Sequence, residues 1–255
     1  MAKPKGVLVD LGGVVYQGGA VLPGSGEAIL RLKRAGIPTR FLTNTTSQPL
    51  GAIRAKLEGL GIPVEPHEIF TPSQAARSHI VREGLDPHFL VRPSLMQDFS
   101  DLPAGSRPAV IVADAREGFS YDSLNEAFRR IMAGAAFIAL AGNRYFRDDD
   151  GNLSLDVGAF VAALEFASGR EATVLGKPSP DFFHLAVDDM KLEPKDVVMI
   201  GDDAEFDVAA AIKSGLSGYL VRTGKWQPGC SEGLDVQPTA EFDDLLQAAE
   251  SLTGS

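Results

Sequence analysis

The chain has 255 residues, 44% hydrophobic and 23% charged, which excludes a disordered chain and leaves room for one or two domains around a sizeable core. Its 24 basic residues against 34 acidic ones give a formal net charge of −10, with no Lys/Arg run longer than pairs such as Arg129-Arg130, so nucleic acid is excluded as a partner. Such an acidic protein also repels phosphates unless a metal ion or a few placed cations reverse the local field.

Along the chain, Gly6 to Asp10 reads as a short buried strand, because Val7, Leu8 and Val9 run continuously into a Gly-rich turn at Gly12-Gly13. Ser25 is expected to cap the helix that follows, with Ala28, Ile29, Leu32 and Ala35 on one face and Gly36 as its stop. A second strand, Thr39 to Thr43, runs into the polar stretch from Asn44 to Ser47, after which Ile53, Leu57 and Leu60 mark a helix closing at Gly61. Residues 79–171 hold a separate series: a strand at Val110-Ile111-Val112, a helix from Tyr121 to Met132 and a strand from Phe137 to Leu140. Asp148 to Asn152 lacks the spacing and terminal Glu of a calcium loop and reads as an exposed hairpin turn. Then come a strand at Val174-Leu175, a helix from Asp181 to Met190, a strand from Val197 to Ile200, a helix from Ala204 to Lys213 and a strand from Gly218 to Val221. This alternation predicts an α/β fold with a parallel sheet: a core made of residues 1–78 and 172–255, interrupted by an insert over 79–171.

Other chemistries lose ground on spacing. Gly24-Ser25-Gly26 lacks a third glycine and does not leave a strand directly, which argues against a nicotinamide site. A single cysteine, Cys230, excludes an internal disulfide, and His67, His79, His88 and His184 show no metal spacing. Ile131 to Gly142 is too short for a membrane span, and Asp10 breaks the apolar stretch behind the basic start, against a signal peptide. A cytoplasmic protein with no membrane partner is expected.

The informative residues stand where strands end. Asp10, Thr43, Lys177 and Asp202-Asp203 each follow an apolar run, and an open parallel sheet collects ligands at the C-terminal ends of its strands. Two carboxylates from different strands can hold one Mg²⁺, Lys and Thr can grip a phosphoryl group, and an Asp can accept that group as an aspartyl-phosphate.

Here the chain resembles the haloacid dehalogenase (HAD) superfamily of phosphatases. The similarity is carried by Val7 to Val14, Phe41-Leu42-Thr43-Asn44, Gly176-Lys177-Pro178, and Gly201-Asp202-Asp203 with Asp207. An insert between the second and third of these stretches resembles the class IIA members, so the resemblance implies a Rossmannoid core plus an inserted α/β C2 cap. It implies Asp10 as nucleophile, with Asp10, the Gly12 carbonyl and Asp202 as Mg²⁺ ligands. Thr43, the Asn44 backbone and Lys177 would bind phosphate, while Asp203 and Asp207 would support metal and lysine from behind. Arg144, after the insert's last strand, is a candidate clamp for phosphate or carboxylate. A small-molecule phosphate substrate is implied, and relatives often dimerise through the cap, so a homodimer is expected.

One position departs from the pattern. Superfamily phosphatases usually carry an acid two residues after the nucleophile, whereas this chain has Gly12. General acid-base help is worth about 10²- to 10⁴-fold, so alkyl esters are expected to be poor substrates and activated phosphates (pyrophosphate, phosphoramidates, aryl esters) better ones. The competing reading is a catalytically impaired member that binds a phosphorylated ligand or a protein. The intact Asp10, Thr43, Lys177 and Asp202 argue against it, the carboxylate pair argues against a dehalogenase, and the length argues against a receiver domain.

Overall fold

Apolar runs without polar alternation need burial on both faces, and the computed structural model, which describes residues 4–147 and 152–254, gives it to them. Gly6–Asp10 and Val197–Gly201 are buried at all five positions each. They are the two central strands of a six-stranded parallel sheet, in the order Ala240–Phe242, Ser217–Val221, Val197–Gly201, Gly6–Asp10, Thr39–Leu42 and Ile69–Phe70. Val9 stands opposite Ile200 on one side and Phe41 on the other, so the C-terminal ends of three strands are level.

The chain forms two bodies. The first holds the residues through Thr43, Arg54–Phe70 and the chain from Lys177 onward; the second holds Asn44–Ile53 and Thr71–Gly176. The second has its own four-stranded parallel sheet, Thr173–Val174, Ala136–Ala139, Arg107–Val112 and Leu85–Leu90, covered by the helices Tyr121–Met132 and Val157–Ser168. The mixed α/β architecture with parallel sheets is therefore the one the strand-helix rhythm predicted. Among the described residues no helix is long and apolar enough to cross a membrane.

Several local expectations change. Ser25 does not cap its helix: Gly24 takes the cap position at φ +76, and the buried Ser25 hydroxyl donates to the Val14 carbonyl at 3.0 Å. Ala35 falls past the end of the helix and is exposed. The strand ahead of Lys177 is Thr173–Val174, and it pairs with Ala136–Ala139 in the second sheet rather than in the core sheet. The regular helix expected over Ala204 to Lys213 begins instead as a π-helical turn, Ala204–Ala209, with the Val208 amide reaching back five residues to the Asp203 carbonyl at 3.2 Å. Most of the expected turn at Asp148 to Asn152 lies outside the described residues; its flanks, Tyr145–Arg147 and Leu153–Leu155, pair antiparallel.

Candidate active site

Asp10 ends the central strand and Asp202 follows its neighbour Val197–Gly201, so the register of two adjacent strands delivers two carboxylates to the same sheet edge. Asp207 comes from the first turns of the following helix, and one carboxylate oxygen from each of the three lies within 4.8 Å of the others. All are buried: Asp10 is 6% exposed, Asp202 2% and Asp207 2%. Three like charges in such a volume need a counter-ion. Lys177, itself 3% exposed, supplies one: its ammonium donates to Asp10 Oδ1 and lies 2.6 Å from Asp207 Oδ1.

The charges remain unbalanced, one lysine against three carboxylates. Burial, then Asp10, then Asp207 push the Asp202 carboxyl up to about 8, although it accepts the Lys225 amide at 2.7 Å. Burial likewise lifts Asp207, to about 6, against the pull of Lys177. Burial pulls the Lys177 ammonium down, but Asp10 and Asp207 outweigh it and hold it above the ordinary lysine range. A cluster that retains a proton on a carboxylate near neutral pH is one that a divalent cation can relieve by displacing that proton. The donor set is all oxygen, as Mg²⁺ requires. Beside this set, the Gly12–Tyr16 bridge is made by the Leu11 carbonyl and the Gly13 amide, so it leaves the Gly12 carbonyl unused.

The support around Asp202 depends on two glycines. Gly13 (φ +87) and Gly224 (φ +55) adopt left-handed backbone, and a Cβ on either would run into Asp202 Oδ2. Thr223 locks this contact by donating its hydroxyl to the Gly13 carbonyl at 2.5 Å.

The remaining expected residues fall as follows. Thr43 is buried just past Thr39–Leu42, its amide donating to the Phe70 carbonyl at 3.1 Å. Asp203 accepts the Glu205 and Phe206 amides with Oδ1, at 3.2 and 2.9 Å, and meets Lys225 Nζ at 3.1 Å with Oδ2, so it caps the helix and anchors a neighbouring lysine. Its amide donates to Asp207 Oδ2 at 3.4 Å, which ties it to the buried cluster. Asn44 and Arg144 belong to the second body: Asn44 Nδ2 donates to Asn143 Oδ1 at 3.4 Å, and Arg144 is exposed with its carbonyl accepting the Asp156 amide at 3.2 Å. Sequence reading passed over Lys225 as an Asp202 contact; the cue was Thr223-Gly224-Lys225 directly behind the Ser217–Val221 strand. It also passed over Tyr16, whose phenol is pushed up to about 12 by burial and by the charge of Asp10.

A family model described as haloacid dehalogenase-like hydrolase matches residues 7–99, and an HAD-hydrolase-like model matches residues 174–248. The chain is 38% identical over 258 residues to phospholysine phosphohistidine inorganic pyrophosphate phosphatase of Bos taurus, covering 99% of this chain and 95% of that protein. It is 40% identical over 248 residues to haloacid dehalogenase-like hydrolase domain-containing protein 2 of Homo sapiens, covering 97% and 95%. The structure of a p-nitrophenyl phosphatase from Archaeoglobus fulgidus is similar at a TM-score of 0.90 and 25% identity, over 98% of this chain and 100% of that one.

Proposed function

The chain belongs to the haloacid dehalogenase-like hydrolases, and on that premise we propose that it is a Mg²⁺-dependent phosphohydrolase acting through an aspartyl-phosphate on activated small phosphates. The observation that carries the reading is Lys177 held between Asp10 and Asp207, with Asp202 beside them at the C-terminal edge of the sheet. In this proposal a carboxylate oxygen of Asp10 attacks phosphorus while the bond to the leaving group breaks. Water then cleaves the aspartyl-phosphate, releasing inorganic phosphate and restoring Asp10. Lys177 neutralises charge on Asp10 and the phosphoryl group, and Thr43 with the Asn44 amide holds phosphoryl oxygens. Asp10, Asp202 and the Gly12 carbonyl would hold Mg²⁺, which supplies charge neutralisation and polarises the phosphoryl oxygens. Asp203 and Asp207 orient these groups. The second body, Thr71–Gly176 at its core, is proposed as the C2 cap, with Arg144 as its substrate clamp.

Gly12 sets the substrate class. Without a carboxylic acid there, leaving groups that depart without an added proton are favoured: phosphate from pyrophosphate, a phenolate, or an amine already protonated on nitrogen. The names of the relatives, with phospholysine, phosphohistidine, inorganic pyrophosphate and p-nitrophenyl phosphate, support that class. With Mg²⁺ present, kcat/KM for pyrophosphate, phosphoimidazole or p-nitrophenyl phosphate is expected to exceed that for a sugar phosphate by about 10²-fold or more. A panel in which the sugar phosphate is cleaved faster defeats this assignment.

The raised carboxyls give a second expectation. Asp202 titrates near its ordinary 3.8 when unfolded and at about 8 in the metal-free fold. Between those values the native state binds more protons than the unfolded state, so stability falls as pH rises through that window. Mg²⁺ replaces the proton, and its stabilising effect should therefore grow with pH. Melting curves at pH 6 and pH 8 should show a larger Mg²⁺-induced rise in Tm at pH 8; an equal or smaller rise contradicts the site.

A further inference from the structure

Position 12 has no side chain, but its backbone pairs with that of Tyr16. Gly12 and Tyr16 face each other across a tight turn: the Gly13 amide donates to the Tyr16 carbonyl at 2.8 Å and the Tyr16 amide to the Leu11 carbonyl at 3.1 Å. Tyr16 then pairs with Val21 in a short hairpin, which fixes its backbone beside the nucleophile loop. Its ring lies under Lys56, with the ammonium 4.2 Å from the centroid. Tyr16 as a residue is half-buried, its phenol feels the charge of Asp10, and its hydroxyl has no hydrogen-bond partner among the described residues. The space above Gly12 is open, with nothing within 4 Å of where a Cβ would be.

We propose that Tyr16 is the hydrogen-bond donor to the leaving group, a catalytic residue that takes over part of the work of the acid missing at position 12. This rests on the phosphohydrolase reading above. As the new bond from Asp10 to phosphorus forms and the old bond to the leaving oxygen breaks, negative charge grows on that oxygen, and the phenol O–H points a dipole at it. The proton stays on Tyr16, and the departing anion takes its own proton from solvent. Lys56 over the ring face, with its ammonium 4.2 Å from the centroid, helps hold the ring in place. A phenol donor offers less than full protonation, which fits a site suited to leaving groups that depart as stable anions.

Two aryl esters separate this role from a structural one. On phenyl phosphate the leaving oxygen bears most of the developing charge; on p-nitrophenyl phosphate the nitro group carries much of it. With Mg²⁺, Tyr16→Phe should lower kcat/KM for phenyl phosphate about 10- to 30-fold, the size of one hydrogen bond to a charged group, and for p-nitrophenyl phosphate about 2-fold. Lys56→Met should shift both in the same direction by less. In a Gly12→Asp background, where a carboxylic acid serves the leaving group, Tyr16→Phe should cost under about 3-fold with either ester, the non-additivity expected of two groups sharing one task. An equal loss on both esters, no loss on phenyl phosphate, or an undiminished loss in the Gly12→Asp background overturns the assignment; Tm values matching the parent protein's guard against reading a folding defect as chemistry. If the unmodified protein with Mg²⁺ cleaves neither ester, the phosphohydrolase reading falls and the role of Tyr16 falls with it.

Discussion

Asp10→Asn should abolish turnover, lowering kcat for p-nitrophenyl phosphate by about 10⁴- to 10⁶-fold, the scale seen when an enzyme loses its nucleophile. The amide nitrogen and oxygen of Asn offer no charged oxygen to phosphorus, so no covalent intermediate can form. The rest of the cluster should survive. Lys177 keeps Asp207 at 2.6 Å, and Asp202 keeps the Lys225 amide and its place between Gly13 and Gly224. Removing the charge of Asp10, the second largest cause of the raised Asp202 carboxyl, brings that carboxyl down toward its ordinary value. The variant should therefore fold and still bind inorganic phosphate with Mg²⁺ in calorimetry while turning over nothing. Retained turnover would remove Asp10 as the nucleophile. A parent protein equally inactive but equally able to bind phosphate would favour the impaired, ligand-binding reading that Gly12 suggests.

Gly12→Asp should act in the opposite direction. Unlike Gly13, Gly12 does not occupy the left-handed region, it is exposed, and an added Cβ meets no atom within 4 Å, so the substitution needs no repacking. It places a carboxyl two residues beyond Asp10, where on the proposed mechanism it can give a proton to an alkoxide and later take one from water. The gain should appear on substrates whose leaving groups need that proton: about 10²-fold in kcat/KM for a sugar or glycerol phosphate, at the lower end of the range for general acid-base help. Pyrophosphate should change little. The preference between activated and alkyl phosphates would then narrow or invert. If alkyl esters gain nothing while the variant still folds and cleaves p-nitrophenyl phosphate, the glycine is not what limits the substrate range.

The site was legible in the sequence to the extent that its residues directly follow apolar runs. Asp10, Thr43 and Asp202 could be found this way because the chain must leave a buried strand at a defined edge, and the first polar residue after it faces that edge. Lys177 also follows an apolar run, but its strand pairs in the second sheet, since two-residue strands such as Thr173–Val174 carry too little pattern to declare their partner. Asp207 looks like a first-turn helix charge in the sequence; that it is buried against Lys177 depends on the π-helical turn, which periodicity does not reveal. Tyr16 and Lys56 meet through tertiary packing across forty residues of chain, beyond the reach of any local pattern. The Leu85–Leu90 strand escaped detection for another reason: Asp86, Pro87 and His88 interrupt it, and a proline inside a run argues against a central strand.

That interrupted strand bears on how the protein behaves at high concentration. Leu85–Leu90 is an outer edge of the second sheet, and an open edge is a template for a neighbouring molecule's backbone. Pro87 removes one amide from the row, and Asp86 adds a charge where an incoming strand would dock. The opposite edge, Thr173–Val174, is two residues long, and the outer strands of the core sheet, Ile69–Phe70 and Ala240–Phe242, span two and three. Each boundary of both sheets is thus too short or too irregular to nucleate intermolecular strand pairing. The residues that obscured a strand in the sequence also guard the folded chain against aggregation through that edge.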